Sequence, residues 1–195
     1  ADTKGNLAAM IHAAASLNRS KLAGNVYVSA TVHEENFEGG SLKVVIDETQ
    51  PDYVIIGEAT GLNLNHGGRG RAEIVAETIG KSAHSSSPEV GLCAVHEMMR
   101  LMQAINSHKL SSHPILGPAS MVLTDIISAP YPGHSVLPNR CRVTYDRRLL
   151  TGETIESLEN ELCSFAAQAN VACEFSLAET LETTYRNFPL QGKKF

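Results

Sequence analysis

The chain has no run of basic residues beyond the terminal Lys193-Lys194, and its formal net charge is −5. A surface of that balance does not neutralise phosphates, which argues against nucleic acid or an anionic membrane surface as a partner. No apolar stretch approaches the roughly 20 residues of a membrane-spanning helix, and the first residues do not form a signal peptide. The four cysteines (Cys93, Cys141, Cys163 and Cys173) contain no Cys-x-x-Cys pair. They read as buried, reduced thiols of a cytoplasmic protein rather than a disulfide framework or a zinc ribbon. Asn18-Arg19-Ser20 fits a glycosylation sequon but stands without a secretory signal, so it reads as chance. Internal repeats and low-complexity segments are also missing. What remains is 195 residues, 43% hydrophobic and 19% charged, enough for a real core in one large or two small domains.

The chain opens with Asp2 and Thr3, either of which can cap a following helix by accepting backbone N–H bonds. That helix, Leu7 to Ala15, is apolar nearly all round and reads as buried. A strand over 26–32, a short helix around 41–47 and a strand over 53–57 follow. Helix and strand alternating at this spacing predicts a mostly parallel sheet with covered faces.

From about Leu62 the pattern changes. Residues 69–79 alternate, with Ala72, Ile74, Ala76 and Thr78 set against Glu73, Val75 and Glu77, as in a half-exposed strand. A helix over 91–107 carries Leu92, Val95, Met98, Met99, Leu101 and Met102 on one broad face. Strands over 120–128 and 141–149, a helix over 154–169 and a strand over 173–181 complete the order β-α-β-β-α-β of a ferredoxin-like domain. Thr151-Gly152-Glu153-Thr154 supplies the turn and cap before the second helix. Gly67-Gly68-Arg69-Gly70 lacks the context of a nucleotide fingerprint and reads as a hinge. The predicted organisation is an α/β catalytic portion over 1–62, a ferredoxin-like domain over 63–181, and a return towards the catalytic portion over 182–195.

Three segments carry chemistry. Thr31-Val32-His33-Glu34-Glu35 places two adjacent carboxylates past the end of an apolar run. Metal-assisted attack of water on an amide uses one carboxylate as ligand and a second to take the proton. A solvated Glu pair opening a loop is the bland alternative. Asp2 and Glu58, at comparable topological positions, favour the chemical reading. The second segment, Gly80-Lys81-Ser82-Ala83-His84-Ser85-Ser86-Ser87-Pro88, presents an accessible His among small residues; taken alone, it reads as a surface His. The third is Tyr145-Asp146-Arg147-Arg148, where adjacent arginines on a strand face opposite sides of the sheet. One of them can grip a substrate carboxylate through two parallel hydrogen bonds, and a surface ion pair is an equally good reading.

Together with Asp2-Thr3-Lys4-Gly5 and Ile56-Gly57-Glu58-Ala59-Thr60, these segments resemble the aminoacylase-type family of dinuclear zinc hydrolases. That family of metallopeptidases includes acetylornithine deacetylase, succinyl-diaminopimelate desuccinylase, carboxypeptidases and aminoacylases. The five segments occur in the family's order and spacing. Arg69-Gly70-Arg71, Asp146-Arg147-Arg148-Leu149 and Gly152-Glu153-Thr154 look most like a bacterial branch termed selenium-metabolism hydrolases.

The resemblance implies a partial zinc-peptidase core interrupted by a ferredoxin-like lid, which in the family also forms the homodimer contact. It implies Asp2 bridging two zinc ions (cobalt or manganese in their place), Glu35 on one, Glu58 on the other, and Glu34 as general base. His84 would reach the partner subunit's active site and stabilise the oxyanion, and Arg148 would bind a substrate carboxylate. The implied reaction is cleavage of an amide or peptide bond in an N-acyl amino acid or small peptide. The alternative is a non-catalytic relative or dimerisation module without metal.

Three departures stand against the family pattern. No His here is followed by Asp two positions later, and the late His ligand beyond the lid is missing. Both are expected if the chain is an internal piece of a longer enzyme, inactive on its own. Relatives also carry Asn before an Ile-Pro step where Ser135-Val136-Leu137-Pro138 stands, so no oxyanion role is assigned to that position.

Overall fold

The alternation over residues 69–79 becomes strand β1, Gly70–Ile79, with Ala72, Ile74, Ala76 and Thr78 fully buried on one face. In the computed structural model, which describes residues 3–34, 39–183 and 189–193, the chain divides into two units, Ala1–His66 and Gly67–Phe195. The boundary falls at the head of the Gly67-Gly68-Arg69-Gly70 cluster.

The first unit contains α1 (Lys4–Ala15) and α2 (Gly40–Thr49). Thr3 is the N-cap of α1 but makes no side-chain cap bond. Asp2, the other predicted cap, lies outside the described residues. α1 buries none of its residues, contrary to the buried helix predicted from its composition, and Ile11 is half-exposed. The stretches over 26–32 and 53–57 also depart from expectation, because neither forms a strand among the described residues. Val26, Tyr27, Tyr53, Ile55 and Ile56 are exposed, Tyr53 at 91%. A strand is defined by its hydrogen-bonded neighbour, and no described segment of this unit pairs with either stretch. β-branched composition alone does not supply that neighbour.

The second unit is built on a four-stranded antiparallel sheet in the order β4-β5-β1-β6. Its strands are β1, β4 (Ser120–Ala129), β5 (Arg140–Leu149) and β6 (Cys173–Leu177), connected through α3 (Ala94–Ser107) and α4 (Ile155–Ala169). A small ribbon of β2 (Ser112–His113) and β3 (Gly117–Pro118) precedes β4. Element order and strand order are together those of a ferredoxin-like domain. Both helices pack on one face of the sheet, around Ile74, Met98, Leu101, Val143, Tyr145, Leu158, Leu162 and Phe165. Burying each such side chain contributes about 1.5–3 kcal/mol, so this layer carries the stability of the unit. The helix predicted over 91–107 begins at Ala94, and Met99, predicted on its apolar face, is exposed.

Thr154 caps α4 reciprocally: its Oγ1 accepts the Ser157 N–H at 3.2 Å, and the Thr154 N–H donates to Ser157 Oγ at 2.8 Å. The last predicted strand is cut in two. At Ala178 the N–H still donates to Glu73 O at 2.7 Å, after which β7 (Glu179–Thr183) leaves the sheet to pair with β8 (Pro189–Lys193). A continuous apolar-polar alternation cannot register such a change of partner.

Candidate active site

In the first unit, α1, residues 29–34, α2 and residues 54–58 enclose a cavity of about 340 Å³ lined by Glu34 and Glu58 together with Thr3, Ser29, Thr31 and Ser41. Two local features bring the acids there. His33 has φ 58°, a left-handed conformation uncommon for a residue with a Cβ, and it turns the chain immediately before Glu34. Ser41 Oγ, at the start of α2, donates to Val32 O at 2.7 Å and pins that turn. Before Glu58, Gly57 lies against α1 so closely that a methyl in its place would sit 3.1 Å from Asn6 Cβ and 3.2 Å from Met10 Sδ. Gly57 thus sets how near Glu58 comes to the start of α1.

The donor chemistry of this cavity suits a divalent cation, since both carboxylates are oxygen ligands of the kind Zn²⁺, Mn²⁺ and Co²⁺ accept. Among the described residues no group of three or more His, Cys, Asp or Glu side chains forms a metal site. Asp2 and Glu35, which the family resemblance makes ligands, lie outside the described residues. In sequence Asp2 precedes Thr3 and Glu35 follows Glu34, and both Thr3 and Glu34 line the cavity.

In the second unit His84 sits on a loop held at both ends. An isolated bridge joins Lys81 to Leu92, and another joins His84 to Val136. Ser85 N donates to Ser135 O at 2.9 Å, and Leu137 N donates to Ala83 O at 2.8 Å. Two glycines permit the close approach of these segments. A methyl at Gly80 would lie 2.2 Å from the Leu92 carbonyl oxygen, and one at Gly91 would lie 2.6 Å from Ala83 Cβ. The His84 ring is solvent-accessible, and its Nδ1 lies 2.8 Å from Ser86 Oγ and 3.2 Å from Ser86 N.

Arg147 and Arg148 take opposite faces of β5. Arg148 lies on the face away from the helices, where its Nε donates to Asp146 Oδ1 at 2.8 Å. Arg71 Nε donates to Asp146 Oδ2 at 2.6 Å, so one carboxylate orders two guanidinium groups on that face. The Arg148 side chain remains 42% exposed. Arg147 is buried on the helix side, with Nη2 donating to Glu153 Oε1 at 2.8 Å and Glu161 Oε2 at 3.2 Å. Its Nε and Nη1 have no hydrogen-bond partner among the described residues.

All four cysteines are free, but only Cys141 is buried; Cys93 and Cys173 are intermediate and Cys163 is exposed. The expectation of buried thiols therefore holds for one of the four. Burial pushes the Cys173 thiol up to about 12 and the Tyr145 hydroxyl to about 12, and it also raises Cys141. Ser86, Arg71 and Gly57 were not among the sequence-predicted site residues. Their parts depend on an i,i+2 side-chain contact, a cross-strand pair and a helix-loop approach, none of which a linear motif encodes. The His-x-Ser spacing is the one available hint, since Ser often bonds a neighbour two residues away in a turn.

Residues 66–174, more than half of the chain, match the M20 peptidase dimerisation domain family. The chain is 33% identical over 177 residues to the acetylornithine deacetylase of Aliivibrio salmonicida, covering 83% of this chain and 44% of that protein. It is 29% identical over 172 residues to protein YgeY of Escherichia coli K12, covering 85% of this chain and 42% of that protein. It therefore spans less than half the length of the curated relatives it matches. Among solved structures, the aminopeptidase PepT of Bacillus cereus is similar with a TM-score of 0.43 at 15% identity, over 57% of this chain and 29% of that one. The chain belongs to the M20 family of peptidases and related hydrolases, and its second unit carries that family's peptidase dimerisation domain.

Proposed function

We propose that the full-length protein is a metal-dependent, homodimeric hydrolase that cleaves an amide or peptide bond in an N-acyl amino acid or small peptide. The observation that carries this reading is the shared cavity of Glu34 and Glu58 in a chain that also bears a peptidase dimerisation domain. In the whole enzyme Asp2, Glu35 and Glu58 would hold two zinc ions, or cobalt or manganese, with histidine ligands supplied from outside this chain. The chemistry such ions would supply is a lowered pKa for bound water and a polarised scissile carbonyl. Glu34 takes the proton of the attacking water and passes it to the leaving amine. His84 reaches the active site of the partner subunit and donates a hydrogen bond to the oxyanion developing there, and Arg148, preset by Asp146, pairs with a substrate carboxylate. Four free thiols suit a reducing, cytoplasmic setting, and among the described residues no helix is long and apolar enough to cross a membrane.

The test is hydrolysis of a panel of N-acetyl and N-succinyl amino acids and dipeptides by the full-length protein, before and after chelation. Turnover should fall at least tenfold with chelator and return with Zn²⁺, Co²⁺ or Mn²⁺, while the 195-residue chain alone should be inactive. Chelator-insensitive turnover, or robust metal-dependent turnover by the chain alone, contradicts the reading.

For the dimer contact, β4 is a ten-residue sheet edge with Val122, Ile126 and Ile127 about half-exposed. A long apolar edge favours strand addition by a second copy of the chain. Light scattering at micromolar concentration should give the dimer mass, reduced towards the monomer by Ile127→Lys. A monomer in the unsubstituted protein removes this part of the proposal.

A further inference from the structure

The backbone of the His84 loop is fixed by its two bridges, which leaves the imidazole's side-chain torsions and its tautomer to be set. Two groups converge on one ring nitrogen: the Ser86 N–H donates to Nδ1 at 3.2 Å, and Ser86 Oγ, a hydroxyl that can donate or accept, lies 2.8 Å from the same atom. A backbone N–H cannot accept a proton, so Nδ1 must offer a lone pair, and the hydroxyl proton can turn towards the same lone-pair region. In a neutral imidazole whose Nδ1 accepts, the proton resides on Nε2. The turn that brings Ser86 back is itself closed by Ser87 N donating to His84 O at 2.9 Å.

We infer that Ser86 is the positioning residue for His84, holding the ring as the Nε2–H tautomer and presenting that N–H as a hydrogen-bond donor. For its catalytic consequence this rests on the proposed role of His84, because an oxyanion requires a donor aimed at it and an acceptor nitrogen there would repel it. Ser86 touches no reacting atom; it acts through the ring.

The two questions separate experimentally. ¹⁵N–¹H correlation spectra of the imidazoles in the 195-residue chain, with His84 assigned through His84→Gln, read the tautomer without any reaction. The unsubstituted chain should show His84 with a pyridine-type Nδ1 and a pyrrole-type Nε2. Ser86→Ala keeps the backbone N–H and removes the hydroxyl at 2.8 Å, so it should move both nitrogens part of the way towards intermediate shifts, and Ser86→Thr should restore them. A pyrrole-type Nδ1 in the unsubstituted chain overturns the inference, as does a spectrum unchanged by Ser86→Ala. In the full-length enzyme Ser86→Ala should lower kcat roughly three- to tenfold with KM within about twofold, and Ser86→Thr should recover it. An unchanged kcat in Ser86→Ala, in an enzyme that His84→Ala cripples, also overturns it. An enzyme indifferent to His84→Ala instead removes the proposed role of His84 and leaves the spectroscopic result to decide the contact.

Discussion

Replacing Glu34 with alanine in the full-length protein is expected to lower kcat by roughly two to four orders of magnitude, the usual contribution of a positioned general base. Metal content should stay nearly unchanged. The two expectations together distinguish a base from a ligand. Glu34 follows a left-handed residue, lines the cavity with Glu58, and is adjacent in sequence to Glu35. If Glu35 holds the metal and Glu34 moves the proton, removing the Glu34 carboxylate leaves the ligand shell whole. The measurement is steady-state kinetics alongside metal analysis on one preparation. Loss of metal with loss of turnover would make Glu34 a ligand, and retained turnover would remove it from the mechanism.

Arg147→Met should destabilise the second unit by about 3 kcal/mol, measured by urea unfolding of the 195-residue chain followed by circular dichroism. Arg147 is 1% exposed, and its Nη2 is shared by Glu153 and Glu161, each about one-fifth exposed. Taking the guanidinium away leaves two carboxylates facing each other with little water to screen them, which costs more than the ion pair contributed. His108 Nε2, 3.7 Å from Glu161 Oε1, is too distant to replace it with a normal hydrogen bond. Adding Glu153→Gln and Glu161→Gln to Arg147→Met should recover most of the loss, because a buried ion pair exchanged for neutral groups of similar size is close to neutral in stability. A single substitution costing under 1 kcal/mol, or a triple variant no better than the single, would contradict this.

The second unit was largely legible in the sequence, and the reasons are local. Ala72, Ile74, Ala76 and Thr78 alternate with Glu73, Val75 and Glu77 because one face of β1 meets helices and the other does not, although Val75 is itself buried. Thr154 and Gly152 mark the start of α4 through a cap bond and a φ of 91°, both properties of the residues themselves. The assignment of the two adjacent arginines to opposite faces followed from strand geometry alone, and Arg147 is indeed buried while Arg148 is not. What Arg147 would meet was not legible, since Glu153 and Glu161 approach it from a turn and a helix.

The first unit was less legible. Residues 26–32 and 53–57 have strand composition, yet strand formation requires a paired neighbour, and α1 has the composition of a buried helix without described residues to bury it. Among the site residues, Glu34 and Glu58 were singled out from separate segments and line one cavity. Asp2 and Glu35 lie outside the described residues. Ser86 was passed over because an exposed serine in a serine-rich loop gives no sign of which nitrogen it will face.

Metal held by the acids of the first unit is the central expectation, and metal analysis of the purified full-length protein, unsubstituted and as Glu58→Ala, tests it. About two divalent ions per chain in the unsubstituted protein, with at least one lost on Glu58→Ala, is the predicted result. An unsubstituted protein without stoichiometric metal would contradict the account and leave the chain as part of an assembly module.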